Sequence, residues 1–221
     1  RVTAAWALSG AFAAKLLPLL VLPVLWRHAA DRWNEWRLRL PLLWFPVVAG
    51  FLLLLFADAG RDTMSGLQIF FAKWRFNDGI FSLVYTIVKE PGFEPDDVAL
   101  KDAKIICGVL LTCVLVWAFC SQPDPFRAAA TVIGANLLLS PVLHPWYLLW
   151  VLPFLVLFPS PAWVFLSAAA FISYNAAANQ SVTGVWMEET WVKWVQFLPF
   201  YLLTLAYTVY RHFQRRLSKA C

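Results

Sequence analysis

The sequence predicts an all-α, polytopic membrane protein with about seven transmembrane helices and an outer interfacial helical segment. Three observations carry this. Hydrophobic residues make up 61% of the 221 residues and charged residues 14%, where soluble domains run nearer half and a quarter. A run of sixty residues, 128–187, holds no Asp, Glu, Lys or Arg, and so long an uncharged stretch is not a solvated surface. Thirteen Trp and fourteen Pro fit the same class, because Trp concentrates at membrane interfaces and Pro is tolerated in spanning helices. The short alternating segments of a β-barrel are missing.

A spanning helix needs about 20 apolar residues. Seven segments approach that length: 2–26, interrupted by Lys15, then 40–57, 105–119, 128–143, 145–158, 162–178 and 194–210. The chain is expected to form a single transmembrane domain over 1–221, with 58–104 as an outer interfacial loop and helices within it. The first residue is Arg1 rather than Met, and no leader precedes the first apolar stretch. The chain is therefore expected to be a piece of a longer protein.

Charge orients the spans. Simple alternation puts 27–39 (Arg27, Arg32, Arg37, Arg39), Arg127 and the tail (Arg211, Arg215, Arg216, Lys219) on one side, assigned to the cytoplasm by the positive-inside rule. The net charge of +5 is read in the same way rather than as a nucleic-acid surface. The outer side then receives 58–104, the break at His144 and 179–193. Within the outer segment, 64–88 mixes Leu67, Ile69, Phe70, Phe71, Trp74 and Phe76 with Gln68, Lys73, Arg75, Asn77 and Asp78. That pattern suits a helix lying in the interface plane. Asn77-Asp78-Gly79 is a turn signal that splits it into two short helices, and Asp96 or Asp97 is placed to start the helix that follows.

The break at Ser140-Pro141-Val142-Leu143-His144-Pro145-Trp146-Tyr147 is the strongest candidate for chemistry. Pro141 ends one helix and Pro145 suits the first turn of the next, so His144 is expected at a helix N-terminus, where anions are favoured. Histidine there can donate to a phosphate or move a proton, and Trp146 and Tyr147 can stack on a sugar. The competing reading makes the three an interfacial aromatic belt. Lys15 sits mid-span, where a charge costs at least about 2.5–3.5 kcal/mol and marks a functional site by default; the alternatives are snorkelling or pairing with a carboxylate elsewhere. Lys73, Arg75, Asn77 and Asp78, interleaved with Trp74 and Phe76, suit an anionic headgroup or plain membrane adhesion. Asn136, Asn175 and Asn179 are expected as bonds between helices. Asp58, Asp62, Asp78, Glu188 and Glu189 are outer carboxylates without the context of a catalytic base. No cofactor motif is present, and Cys107, Cys113, Cys120 and Cys221 lack metal-ligand spacing.

The string Ser140-Pro141-x-x-His144-Pro145-Trp146-Tyr147-Leu148-Leu149-Trp150-x-x-Pro153 resembles the late-helix signature of bacterial polyprenyl-phosphate-dependent glycosyltransferases of the GT-C superfamily, in their mannosyltransferase-like branch. Trp74-x-Phe76-Asn77-Asp78-Gly79-x-Phe81 is similar to that branch's outer loop, and Lys15-Leu16-Leu17-Pro18 fits an early span. The resemblance implies a multi-pass protein of the bacterial inner membrane. It implies transfer of a sugar from a polyprenyl-phosphate donor to a glycan or glycolipid acceptor on the outer face. His144 would be catalytic, with Lys15, Arg75, Asn77, Asp78, Trp146 and Tyr147 binding substrate. The family's acidic base belongs to a first outer loop that no segment here matches, so the chain looks like the C-terminal portion. A transporter or lipid flippase is the alternative, since it would also want a central Lys15 and broken helices.

Overall fold

The computed structural model describes residues 7, 10–11, 17–29, 39–55, 57–58, 65–89 and 96–220. Its regular elements are helical: α1 (Pro18–His28), α2 (Trp44–Leu54), α3 (Ser65–Lys73), α4 (Ile80–Val88), α5 (Asp96–Ser121), α6 (Pro125–Leu139), α7 (Leu152–Leu157), α8 (Pro161–Ala169), α9 (Asn175–Thr183) and α10 (Thr190–Ala220). Three 3₁₀ turns stand among them, Leu40–Leu43, Pro145–Trp150 and Ala170–Tyr174. Extended backbone pairs at one isolated bridge among the described residues, Phe76 with Val142.

The helices begin and end where local chemistry asks. α5 carries Asp96 and Asp97 in its first turn, where negative charge meets the positive end of the helix dipole. Asp124 caps α6, its Oδ1 accepting from the backbone N–H of Phe126 at 2.8 Å and of Arg127 at 3.3 Å. Pro161 opens α8. Gly184 closes α9 at φ 74°, donating its N–H to the Gln180 carbonyl at 2.8 Å; this left-handed position is one that glycine takes without strain.

Among the described residues, two stretches are long and apolar enough to cross a bilayer, Asp96–Ser121 and Pro161–Thr183. Only 17% of the apolar window of Asp96–Ser121 is buried inside the structure, whereas the core helix of a soluble protein would be mostly covered. Large apolar side chains elsewhere stand open as well, among them Phe51, Leu54, Ile87 and Val156. Other expected spans coincide with shorter helices. The part of 2–26 that is described holds α1, 40–57 holds a 3₁₀ turn and α2, and α6 stops at Leu139.

One expectation needs correction. The segment 145–158 is not one helix but a 3₁₀ turn followed by α7. Pro153 falls in the first turn of α7, where its missing N–H costs nothing. The expected span 162–178 lies within the spanning stretch Pro161–Thr183, part of which, Ala170–Tyr174, is a 3₁₀ turn. The basic tail continues α10, which runs on to Ala220. Arg211 donates to the Tyr207 hydroxyl at 3.2 Å and Gln214 to the Tyr210 hydroxyl at 3.0 Å, each one turn back along the helix.

The chain divides into two compact units, 1–74 with 108–136, and 75–107 with 137–221. In the first, Val24, Ala118, Ala128 and Val132 form a fully buried cluster against which Leu20 and Leu115 pack. Small residues at 118 and 128 let helix backbones approach closely. Buried Arg39 donates from Nε to the Trp26 carbonyl at 2.9 Å, satisfying a group that the end of α1 leaves without a helical donor. In the second unit α10 packs along α8 and the Ala170–Tyr174 turn. Trp163 meets Phe200 edge-on at 5.0 Å, and Leu166, Ala170, Val192 and Phe197 are buried there.

Candidate functional site

The second unit holds the two segments that stood out in the sequence, and it ties them together. Ser140-Pro141 ends α6. The Ser140 hydroxyl then accepts from the Val142 N–H at 3.2 Å and donates to the Val142 carbonyl at 2.9 Å, so the chain turns into extended backbone. Phe76 pairs with it in parallel: its N–H donates to the Pro141 carbonyl and its carbonyl accepts from the Leu143 N–H, both at 2.9 Å.

The next two residues of the outer loop are buried polar groups. Asn77 takes φ 49°, a left-handed conformation that Asn visits more readily than most non-glycine residues. Its Nδ2 donates to the Leu143 carbonyl at 3.3 Å and to Gln196 Oε1 at 3.0 Å, and its backbone N–H donates to Glu188 Oε2 at 3.1 Å. Asp78 is wholly buried. One carboxylate oxygen accepts from Arg75 Nε at 2.5 Å and the other from Lys193 Nζ. Lys193 also lies 3.4 Å from Glu188. Arg75 is further held by Ser82 Oγ at 3.2 Å and by the Tyr85 ring, whose centroid is 3.9 Å from the guanidinium carbon. Gly79 completes the turn against Phe197. A Cβ there would stand 2.7 Å from Phe197 Cε1, which explains glycine at a position whose φ any residue could take.

Beside this polar loop lies an aromatic group. The His144 ring stacks on Trp146 at 4.3 Å and 9°, meets Tyr147 edge-on at 5.3 Å and lies 4.9 Å from Phe76. Phe76 in turn contacts Trp186 at 5.6 Å, and Tyr147 stacks on Trp150 at 4.6 Å. This changes the reading of His144 as the head of a helix that attracts anions. His144 does precede a helical element, but that element is a six-residue 3₁₀ turn, and its side chain makes no capping bond. So short a turn has little aligned dipole, and the ring is packed among aromatic neighbours.

A cavity of about 10 Å³ opens between Phe76, Asn77, Ser173, Glu188, Glu189 and Lys193, room for roughly one water-sized group. Ser173 is buried and donates to the Ala170 carbonyl at 2.7 Å.

Of the residues singled out in the sequence, Arg75, Asn77, Asp78, His144, Trp146 and Tyr147 all stand in this one unit. Lys15 lies outside the described residues. Asn175 and Asn179 bond each other one turn apart within α9, at 3.1 Å, rather than joining two helices. The sequence reading missed Lys193, Gln196 and Ser173, and saw Glu188 without its setting. A signal existed: Lys193 and Gln196 are three residues apart in the otherwise apolar stretch 191–203 of α10 and so share a face.

A family model described as the MptB C-terminal domain matches residues 95–210, just over half of the chain. The match takes in the His144 segment and the group formed by Ser173, Glu188, Lys193 and Gln196. No curated protein and no solved structure matches the chain.

Proposed function

The chain belongs to the MptB C-terminal domain family, and from that premise we propose that it is the C-terminal part of a multi-pass membrane glycosyltransferase. It moves a hexose, mannose-like, from a polyprenyl-phosphate donor to a glycan or glycolipid acceptor on the outer face of the membrane. The observation that carries this reading is the join between the two segments of family resemblance. Asn77 and Leu143 are 66 residues apart, yet the bridge at Phe76 and the Asn77 side chain bind one segment to the other. Polar groups and stacked aromatics then share one neighbourhood, a combination suited to a sugar carried on a charged leaving group.

The chemistry follows from charge. The acceptor oxygen attacks the anomeric carbon, the bond from that carbon to the phosphate oxygen breaks, and the polyprenyl phosphate leaves with the electron pair. Negative charge grows on the phosphate, so a donor aimed there lowers the barrier. His144 takes this role. Stacking on Trp146 occupies the face of its ring, while its nitrogens bond in the ring plane. Trp146 and Tyr147 wall the sugar. Arg75, its side chain 27% exposed, offers further N–H groups beyond those held by Asp78 and Ser82. Asn77 and Asp78 hold the loop in register with the His144 segment. The base that takes the acceptor's proton is not assigned to this chain.

The test is transfer itself. Membrane vesicles carrying the full-length protein are given a radiolabelled polyprenyl-phosphate mannose, and label is followed into glycan and glycolipid. Transfer is expected. No transfer from any polyprenyl-phosphate hexose overturns the reading.

A further inference from the structure

We propose that the cavity beside Asn77 is a subsite for one sugar hydroxyl, read by Asn77, Ser173 and Lys193 from its wall, with Gln196 orienting the Asn77 amide; this rests on the transferase reading above. The argument starts from two orphaned atoms. Asn77 is 2% exposed and Gln196 is fully buried. The Leu143 carbonyl can only accept, which fixes the Asn77 amide with its NH₂ group toward it. The second hydrogen of that NH₂ goes to Gln196 Oε1, and this fixes the Gln196 amide in turn. What is left over is Asn77 Oδ1, an acceptor, and Gln196 Nε2, a donor. Neither finds a hydrogen-bond partner among the described residues.

Leaving such atoms unsatisfied costs about 1–3 kcal/mol each, and Asn77, unlike Gln196, stands on a cavity wall. A hydroxyl there donates its hydrogen to Asn77 Oδ1 and accepts on its oxygen from Lys193 Nζ, which lines the same cavity. A phosphate oxygen offers no hydrogen to Asn77 Oδ1, and an ammonium would meet the like charge of Lys193. The surroundings agree. Asn77 lines a cavity of about 10 Å³ together with Ser173, Glu188 and Lys193. The Ser173 hydroxyl spends its hydrogen on the Ala170 carbonyl and keeps lone pairs for a further donor. Glu188 and Lys193 are 22% and 21% exposed, so the cavity joins the outside at their edge. Its size admits a hydroxyl and excludes a whole ring. The ring to which the hydroxyl belongs would lie toward Phe76, which lines the cavity and whose own ring is 4.9 Å from that of His144.

The hydroxyl can come from the donor sugar or from the acceptor, and two arms of one experiment separate these. The full-length protein is assayed with polyprenyl-phosphate mannose and with donors lacking one hydroxyl at a time, using the natural acceptor. It is then assayed with the natural donor and a matching set of deoxy acceptors. One deoxy substrate, in one arm, is expected to lose about 10–10²-fold in kcat/KM, the range for a lost hydrogen bond in a polar buried site. Ser173→Val and Ala176→Val, at two residues that line the cavity, narrow it. Each is expected to lower transfer of the intact substrate toward the deoxy rate and so erase the discrimination. If the parent protein handles every deoxy donor and acceptor within about threefold of the intact substrate, the subsite is overturned while the transferase reading stands. The same holds if a folded variant keeps the parent's discrimination, which would make the cavity a water site. Absence of all transfer by the parent overturns both.

Discussion

Asp78 is the residue whose loss the structure prices most clearly. It is wholly buried and its carboxylate is shared by Arg75 and Lys193. Asp78→Asn keeps the shape and one acceptor oxygen but removes the charge. Two cations then face an amide whose NH₂ group repels one of them. Breaking a fully buried ion pair by removing one partner costs about 3–5 kcal/mol. The Arg75 and Lys193 side chains are 27% and 21% exposed, and water at those edges screens part of the imbalance, which brings the expected loss to about 2–4 kcal/mol. At about 2–4 °C per kcal/mol for a chain of this size, thermal unfolding in detergent should shift down by roughly 4–16 °C. Lys193→Met on top of Asp78→Asn removes one stranded cation, so the double variant should lose less than the two single losses added together, by about 1 kcal/mol or more. An Asp78→Asn protein that unfolds within about 1 °C of the parent, or losses that add without coupling, would refute the view of this group as a brace under the 75–79 loop.

Three further outcomes follow from the same neighbourhood and from the charge pattern. Gly79→Ala drives a methyl into Phe197, 2.7 Å away, and should cost about 1–3 kcal/mol; Phe197→Leu in the same chain should recover most of it in the same unfolding assay. Asn77→Ala and Asn77→Gly lose the same side-chain bonds, but only alanine is strained at φ 49°, so the glycine variant should be the more stable of the two by about 1 kcal/mol. In a background without native cysteines, a cysteine at Ser218 should be labelled only from the cytoplasmic side and one at Trp186 only from outside; the reverse pattern would invert the proposed orientation.

Much of this was legible because it is local. Pro141 and Pro161 announce a helix end and a helix start, and Asn77-Asp78-Gly79 announces the break between α3 and α4. Composition alone indicated helices with faces that no other part of the chain covers. The site was legible only as separate strings. That Asn77 would meet Gln196, 119 residues on, and Asp78 would meet Lys193, 115 residues on, depends on how α10 packs, and periodicity says nothing about that. Asp78 looked like a water-facing residue of an amphipathic stretch because its two cations are invisible to a local window. His144 looked like a helix head because Pro145 permits one, but the sequence does not tell a 3₁₀ turn of six residues from a helix. The turn at Ala170–Tyr174 has neither Pro nor Gly to signal it.

The central claim is that the paired 75–79 and 140–147 segments form a sugar-transfer site with His144 at the departing phosphate. The most direct test compares His144→Ala and His144→Phe with the parent in the full-length protein, for unfolding and for transfer from polyprenyl-phosphate mannose. Phenylalanine keeps a ring to stack on Trp146 and removes both nitrogens. If His144 stabilises the leaving group, both variants should fold and both should lose about 10²–10³-fold in turnover. A folded His144→Phe protein that transfers sugar at the parent's rate would show that the ring only packs, and would contradict the account.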